Sequence, residues 1–212
     1  DSFIKISPND VTSKYYGWET DKNIIPGGSA EAKKGGMITI LGDLEYPSTF
    51  RSIGKDSRSQ VLSLLESLQY ETLLGYDYEN LKWSPRLATH WKISSDSLTY
   101  WYRLNPEAHW SDGKPINTND IIATFKLLID DGHEDPNVSA FWKEAFEVPI
   151  AESKYIIKVT AKKKDWRAFR YFSSSLSVMP STYLNKVDGA GYIEKYDFSF
   201  MPGSGPYQYE KN

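Results

Sequence analysis

Apolar residues recur with helical spacing in residues 57–70. Five of them share one broad face when the chain is wound as an α-helix: Val61, Leu62, Leu64, Leu65 and Leu68. The pattern predicts a helix of about three turns that carries the chain to Tyr70. Residues 73–78, which follow it, are predicted to be extended.

A second helical period follows a turn-forming sequence, Trp-Ser-Asp-Gly-Lys-Pro at 110–115. Gly113 tolerates a positive φ, and Pro115 fixes φ where the turn ends. We expect Thr118 to cap the next helix with its hydroxyl and Asp120 to place a negative charge near the positive end of the helix dipole. The apolar face of this helix comprises Ile121, Ile122, Phe125, Leu128 and Ile129.

In other segments, residues of two faces alternate with a period of two, which predicts strands. Residues 90–104 form two extended runs around Ser-Ser-Asp-Ser at 94–97, which predicts a hairpin. Its second run places Leu98, Tyr100, Tyr102 and Leu104 on one face and Thr99, Trp101 and Arg103 on the other. Further strands are predicted at 37–41, 154–160 and 177–180, and short helices at 139–146 and 165–172.

Bulk composition narrows the classes of function. The chain has 212 residues, with 28 acidic and 25 basic side chains and a net charge of −3, so its charge gives no argument for binding nucleic acid. It contains no cysteine, which excludes disulfides and thiolate metal sites. No segment approaches the roughly 20 apolar residues that span a bilayer. Residues 1–35 have no sustained apolar period and are predicted to form an extended N-terminal segment.

Three histidines, His90, His109 and His133, provide the residue type that a serine hydrolase needs as its base. A nucleophile elbow of the form Gly-x-Ser-x-Gly does not occur in the sequence. Each histidine also falls in a segment that is already explained as a strand, a loop or a turn. We therefore predict ordinary surface or half-buried histidines.

Other groups that resemble catalytic or metal-binding residues have simpler interpretations. His-Glu-Asp at 133–135 lacks the spacing of a zinc or calcium site and is predicted to form a turn and cap before Pro136. Asp112 and Asp120 are assigned to a turn and a helix start rather than to paired-carboxylate catalysis. Gly-Ser-Gly-Pro at 203–206 lacks the lysine of a phosphate-binding loop and predicts a tight turn into a strand. We predict no catalytic residue, no metal and no cofactor.

Aromatic residues are the one feature of the composition that points toward ligand binding. Seven Trp, fifteen Tyr and nine Phe make up 15% of the chain. Such rings form stacking platforms for sugars or peptide side chains, but most are expected in the core. Trp101 shares a hairpin face with Thr99 and Arg103. It could therefore contact a ligand or pack against the neighbouring helix, and packing is the expected role.

Several sequence blocks follow one another in a characteristic order. They are Tyr-Glu-Thr-Leu-Leu at 70–74, Pro-Arg-Leu-Ala-Thr-His-Trp at 85–91, Ser-Asp-Ser-Leu-Thr-Tyr at 95–100, Trp-Ser-Asp-Gly-Lys-Pro at 110–115, Thr-Asn-Asp at 118–120 and Gly-Ser-Gly-Pro-Tyr at 203–207. Together they resemble the peptide/nickel class, family 5, of extracellular solute-binding proteins of ABC importers. The resemblance covers roughly residues 36 to 210.

This resemblance implies an α/β fold. A periplasmic-binding-protein-like lobe with a mixed main sheet would be built from 36–50 and 170–212. A smaller α/β subdomain, 51–169, would be inserted into it, and 1–35 would precede both. A family member would continue into a second lobe after Gly-Ser-Gly-Pro-Tyr, so we expect this chain to be the N-terminal part only, with the second lobe absent.

The resemblance also implies a function without covalent chemistry. A peptide-like solute would bind between two lobes, hinge closure would follow, and the permease subunits of the importer would receive the solute. The expected protein is a monomer at the periplasmic or extracellular face of the membrane, with a lipid anchor or the permease as its membrane contact and no nucleic acid partner. Oligosaccharides and nickel complexes are alternative solutes. The alternative function is a carbohydrate-binding module with exposed Trp and Tyr platforms.

Three regions of the chain are expected to contact the solute on this basis. They are the loop after the first strand, the start of the first helix and the short helix near 142. The predicted ligand-binding residues are Asp43, Leu44, Glu45, Tyr46, Ser57, Arg58, Ser59, Phe141 and Trp142.

Overall fold

Antiparallel sheets and short helices alternate along the chain. The computed structural model describes residues 17–21, 31, 33, 35–37 and 47–208. The elements of this part are α1 (Gln60–Gln69), β1 (Leu74–Asp77), β2 (Lys82–Pro85), β3 (Ala88–Ile93), β4 (Thr99–Leu104), α2 (Thr118–Leu128), α3 (Pro136–Ala145), β5 (Ile150–Ser153), β6 (Ile156–Thr160), α4 (Ala168–Ser174), α5 (Ser181–Leu184) and α6 (Gly189–Lys195), with a 3₁₀ turn at Asp131–His133. The predicted α/β class is confirmed.

The strands form a two-stranded sheet, β1-β2, and a four-stranded sheet of order β3-β4-β6-β5. All of their pairings are antiparallel, and β3 and β4 form the predicted hairpin. The outer edge of β3 pairs with the N-terminal segment, because Glu19 N donates to Trp91 O at 2.7 Å and Trp91 N donates to Glu19 O at 3.0 Å. This pairing covers part of an edge that would otherwise present open hydrogen-bonding groups.

Aromatic side chains dominate the core between the four-stranded sheet and the helices. Phe172 on α4 is fully buried, and its ring centroid lies 5.2 Å from Phe146, 6.0 Å from Trp142 and 6.1 Å from Tyr102. Phe169, one turn earlier on the same helix, stacks on Tyr102 at 5.9 Å. Much of the aromatic content therefore serves packing, as expected for rings that bury a large apolar area.

Helix α1 forms where it was predicted, but its apolar face is less buried than the pattern indicates. Ser59 caps it by accepting a hydrogen bond from Leu62 N at 3.1 Å. Among the five predicted apolar positions only Leu62 is buried, and Leu64 is 39% exposed. The helix is instead anchored at its C-terminal end, where Gln69 Nε2 donates to Met201 O at 2.8 Å.

The start of α2 corrects the predicted cap by one residue. Asn117, and not Thr118, is the N-cap, and it forms a capping box with Asp120, whose carboxylate accepts from Asn117 N at 2.8 Å. Thr118 lies inside the first turn because its amide donates to Lys154 O and its hydroxyl donates to Ser153 O. Gly113 has the predicted positive φ, at 81°.

The Gly-Ser-Gly-Pro sequence closes the C-terminal end of α1. Its backbone passes so close to the helix that a Cβ on Gly205 would lie 2.2 Å from Leu68 O, and one on Gly203 2.5 Å from Gln69 O. The Ser204 and Gly205 amides donate to Gln69 O, a carbonyl that the helix leaves without a partner. Glycine is therefore required for close approach and not for phosphate binding.

Several other boundaries differ from the predicted ones for local reasons. Asp135 caps α3 and Pro136 occupies its first position, so this helix begins before residue 139. Helix α4 begins at Ala168 because the Asp165 carboxylate accepts from Arg167 N and forms a turn.

The predicted main sheet receives no support from the described residues. Residues 177–180 are not a strand, and Val178 N donates to Glu71 O at 3.0 Å in the segment after α1. The predicted strand at 37–41 lies outside the described residues except for Met37, which is not in a strand. The division into 36–50 plus 170–212 and 51–169 stays a prediction.

Candidate functional site

A polar cleft opens between the start of α1, the preceding loop, α3 and residues 175–177. Its volume is about 470 Å³, within the range of roughly 300–1,000 Å³ that is typical of small-molecule sites. Six serines line it: Ser52, Ser57, Ser59, Ser63, Ser175 and Ser177. Because a hydroxyl both donates and accepts hydrogen bonds, this lining suits a polar ligand.

Local structure positions the α1 side of the cleft. Ser59, Ser63 and Glu66 are spaced by four and three residues, so they lie on one face of the helix. The loop before the helix turns at Gly54, whose φ is 92° and whose carbonyl accepts from Ser57 Oγ at 2.7 Å. A Cβ on Gly54 would lie 2.4 Å from His133 O, so the loop packs directly on the 3₁₀ turn.

An ion pair connects two walls of the cleft. Arg58 Nη2 lies 2.9 Å and 3.2 Å from the two carboxylate oxygens of Asp135. Burial alone would raise the pKa of Asp135, but the Val138 amide, the Arg58 guanidinium and the Asn137 amide together lower it. The Arg58 side chain is 67% exposed, so the guanidinium presents further donors to the solvent in the cleft.

Glu66 is the second carboxyl group of the cleft. Burial raises the pKa of Glu66, and the Ser177 side chain opposes that effect only in part. Tyr70 and Tyr192 lie near it, and burial raises the pKa of both, that of Tyr192 to about 12. The two phenols therefore remain neutral where Glu66 titrates. A desolvated carboxylate of this kind gains free energy when it pairs with a cation.

Replacing Glu66 with glutamine should change how stability depends on pH. A carboxyl whose pKa is raised by folding binds more protons in the folded than in the unfolded chain, so its presence lowers the free energy of unfolding as pH rises above the ordinary value of 4.5. We expect the stability of the Glu66→Gln variant relative to the parent to increase as pH rises above 4.5, and to level off once Glu66 is ionised in both the folded and the unfolded chain. Urea titrations at several pH values measure this gap, and a gap that does not change with pH would contradict the assignment.

The structure brings four of the predicted ligand-binding residues into one cleft: Ser57, Arg58, Ser59 and Trp142. Trp142 contributes little of its surface, because it is only 5% exposed and packs in the core. Phe141 does not line the cleft, and its ring packs edge-on against Tyr171 at 5.1 Å. The other four, Asp43, Leu44, Glu45 and Tyr46, lie outside the described residues. Ligand contact stays a prediction for all nine.

Sequence reasoning did not identify Glu66, Asp135 or the serines at 175 and 177 as cleft residues. The polar stripe of α1 was visible in the spacing of Ser59, Ser63 and Glu66. No sequence pattern predicted that residues 175–177 lie beside α1, because only tertiary packing places this segment there. The capping role predicted for Asp135 is confirmed, and its pairing with Arg58 adds an electrostatic role.

The prediction of surface or half-buried histidines is confirmed for His90, which is half-buried, and for His109, which is exposed, but it is wrong for His133. His133 is buried and its two ring nitrogens contact Leu128 O and Asp135 N. The rings of His90 and His109 contact Thr89 Oγ1 and Glu107 O, respectively. Among the described residues, no group of three or more His, Asp or Glu side chains could hold a metal ion. None of the helices in that part of the chain has both the length and the apolarity to cross a membrane.

Known structures share this fold. The oligopeptide-binding protein AppA of Bacillus subtilis, solved with a nonapeptide, matches with a TM-score of 0.68 and 21% identity over 78% of this chain and 32% of that chain. OppA of Haemophilus influenzae, solved with the peptide RPPGFSPFR, matches with a TM-score of 0.58 and 22% identity over 71% and 32% of the two chains. The predicted periplasmic-binding-protein fold is confirmed.

Sequence relatives point to the same family. The probable ABC transporter-binding protein of Deinococcus radiodurans is 26% identical over 191 residues, which cover 80% of this chain and 32% of that protein. The probable peptide-binding protein YejA of Agrobacterium fabrum is 23% identical over 184 residues, which cover 85% and 29%. The chain thus spans about a third of the length of these relatives.

The family assignment follows from a match of more than half of the chain. The sequence profile described as bacterial extracellular solute-binding proteins, family 5 Middle, matches residues 82–212. This segment contains the Trp-Ser-Asp-Gly-Lys-Pro turn, the start of α2 and the Gly-Ser-Gly-Pro sequence, whose contacts are described above. The protein is a member of the family 5 bacterial extracellular solute-binding proteins.

Proposed function

We propose that this chain is the N-terminal part of the substrate-binding component of an ABC importer, and that it binds a peptide-like solute. The family match supports a solute-binding role. The similarity to YejA, a probable peptide-binding protein, and to AppA, solved in complex with a nonapeptide, supports the peptide class. Since the chain spans about a third of these proteins, the remainder of the site would lie on a second lobe.

The cleft beside α1 is the observation that carries this proposal. It combines six hydroxyl groups, a largely exposed guanidinium and a half-buried carboxyl group within about 470 Å³. A peptide offers main-chain amides and carbonyls together with a cationic amine and an anionic carboxylate. Hydroxyl groups serve either kind of main-chain group, whereas Arg58 and Glu66 have the charges that the carboxylate and the amine require.

Transport would proceed through closure of the two lobes over the solute. The solute stabilises the closed form by the difference between its affinities for the two forms, and the permease recognises that form. The protein would act as a monomer at the periplasmic or extracellular face of the membrane, with a lipid anchor as one means of attachment. It would carry out no covalent chemistry.

Filling the cleft should weaken peptide binding by the complete gene product. Ser63 and Ser67 are both exposed serines of α1, but only Ser63 lines the cleft. We expect Ser63→Trp to raise the Kd for a peptide pool by about tenfold or more, because the indole occupies space that the solute needs. The matched variant Ser67→Trp should leave the Kd unchanged. Titration calorimetry measures both.

The outcomes separate this function from its alternatives. Equal Kd values for the two variants would place the solute elsewhere. If the protein bound cello-oligosaccharides or nickel more tightly than peptides, the proposed class of solute would be wrong, but the proposed position of the site in the cleft would stand. The isolated 212-residue chain should bind peptides weakly, because half of the contacts would be missing while the cost of association remains. Detectable turnover that is lost with His133→Ala would indicate an enzyme instead.

A further inference from the structure

A second concave site lies on different elements from the cleft. The β1-β2 sheet, the turn between β3 and β4 and the start of α4 surround a groove of about 380 Å³, and it shares no lining residue with the cleft. This volume also falls within the range of small-molecule sites, roughly 300–1,000 Å³. Its walls are mainly aromatic: Tyr76, Trp83, Tyr100, Trp166 and Phe169.

Trp166 forms the exposed rim of this groove. Its side chain is 84% exposed, which leaves a large apolar surface in water at an unfavourable free energy. The guanidinium of Arg167 lies 5.6 Å from the Trp166 ring centroid, and Asp165 holds that guanidinium through Oδ1, at 3.2 Å from Nε. Neighbouring groups therefore support the indole at the rim.

Edge-to-face contacts order the rings on the groove's inner wall. The Trp83 ring centroid lies 4.9 Å from that of Tyr76 and 5.1 Å from that of Phe169. Phe169 in turn contacts Tyr100 at 5.3 Å. Because the rings are already packed against one another, a ligand that stacks on them would lose little free energy in ordering them.

The two charged residues that line the groove, Asp165 and Arg170, have partners within the protein. Asp165 pairs with Arg167, as its Oδ1 lies 3.2 Å from Nε. Arg170 donates to Tyr78 Oη at 2.8 Å and lies 5.8 Å from that ring centroid. Because the lining contains one carboxylate and one guanidinium, its formal charges cancel, and the groove favours a neutral ligand. Its polar rim nevertheless retains a carboxylate, a guanidinium and the Ser97 hydroxyl.

We propose that this groove binds a pyranose ring of a neutral oligosaccharide. The apolar face of the sugar would stack against Trp166 and Trp83, and its hydroxyls would bond Asp165, Arg170 and Ser97. A peptide is the less suitable ligand, because extended peptides are held mainly through main-chain hydrogen bonds, whereas aromatic residues make up most of the lining of this groove and suit stacking with a sugar ring. The site would act independently of the cleft.

Nuclear magnetic resonance of the 212-residue chain tests this site, with cellohexaose as the probe. Each of the seven tryptophans carries an indole N–H that can be followed, and Trp166→Ala identifies the signal of Trp166 by its loss. We expect cellohexaose, added up to about 10 mM, to shift the Trp166 and Trp83 signals with a Kd near 1 mM. Trp166→Ala should weaken binding by about tenfold, since it removes the stacking surface.

Trp101 provides the matched control, because it is a half-buried tryptophan on a different surface, where its Nε1 donates to Glu152. Trp101→Ala should leave the Kd for cellohexaose unchanged. The proposal is overturned if the Trp166 signal does not move, if Trp166→Ala binds as tightly as the parent, or if Trp101→Ala weakens binding equally. It is also overturned if a neutral proline-rich hexapeptide shifts the same signals and cellohexaose does not. Loss of binding only in Ser63→Trp would place the sugar in the cleft, which also contradicts it.

Discussion

The Phe172→Ala variant is expected to lose about 3–5 kcal/mol of its free energy of unfolding. Phe172 is 0% exposed, and its ring contacts side chains from β4, α2, α3 and the residue after α3: Tyr102, Phe125, Trp142 and Phe146. Removal of the ring leaves a cavity among aromatic side chains that cannot collapse easily, because they are held by one another. Urea denaturation followed by far-ultraviolet circular dichroism measures the loss.

Phe198→Ala is the matched control for this prediction. Phe198 is 54% exposed and meets Phe50 at 5.5 Å, so truncation should cost about 1 kcal/mol or less. If both variants lost a similar amount of their free energy of unfolding, the packing of Phe172 on α4 would not be what stabilises the contact between the helices and the sheet. A change in the slope of the urea transition would indicate an effect on the unfolded chain instead.

Asp120→Ala should lower the free energy of unfolding by about 2–4 kcal/mol. The Asp120 carboxylate is 2% exposed and accepts three hydrogen bonds, from Asn117 N at 2.8 Å, Ser181 N at 2.7 Å and Ser181 Oγ at 2.6 Å. Alanine leaves these donors without their acceptor and removes the capping box of α2. The contact between α2 and α5 should loosen with it.

Asp112→Ala offers the control, since Asp112 is an aspartate of the preceding turn. It pairs with Lys114 at 2.6 Å at the protein surface, where solvent screens such a pair and it contributes little to stability. Thermal unfolding compares the two variants directly. If Asp112→Ala proved as destabilising as Asp120→Ala, the burial of the carboxylate could not be the cause of the larger effect.

The sequence blocks that identify the family have a structural role, because they contact one another. The Trp-Ser-Asp-Gly-Lys-Pro turn and the Gly-Ser-Gly-Pro sequence meet where Ser111 N donates to Gly203 O at 2.8 Å. Ser204 Oγ also accepts from Glu71 N, within the Tyr-Glu-Thr-Leu-Leu block. Three blocks that are distant in sequence therefore form one junction at the C-terminal end of α1. None of the residues named in these contacts lines the polar cleft.

Part of the candidate site was also predictable from local pattern. Ser57, Arg58 and Ser59 were assigned to the start of α1, and the structure places all three in the cleft. Their assignment depended on the family resemblance, whereas the helix start itself followed from spacing. Trp142 was assigned in the same way, yet its ring is mostly core, because aromatic side chains at helical spacing gain most free energy by burial.

The sequence by itself determined the hairpin, the main helices and the family, because alternation, helical spacing and turn residues act over a few neighbouring positions. Tertiary structure alone decided that α1 leaves Leu64 exposed, and that Glu66 and Ser177 face one cleft. It also placed Trp166 and Trp83, 83 residues apart in sequence, around one groove. Such proximities depend on how helices and sheets pack, and no local pattern of apolar and polar residues encodes them.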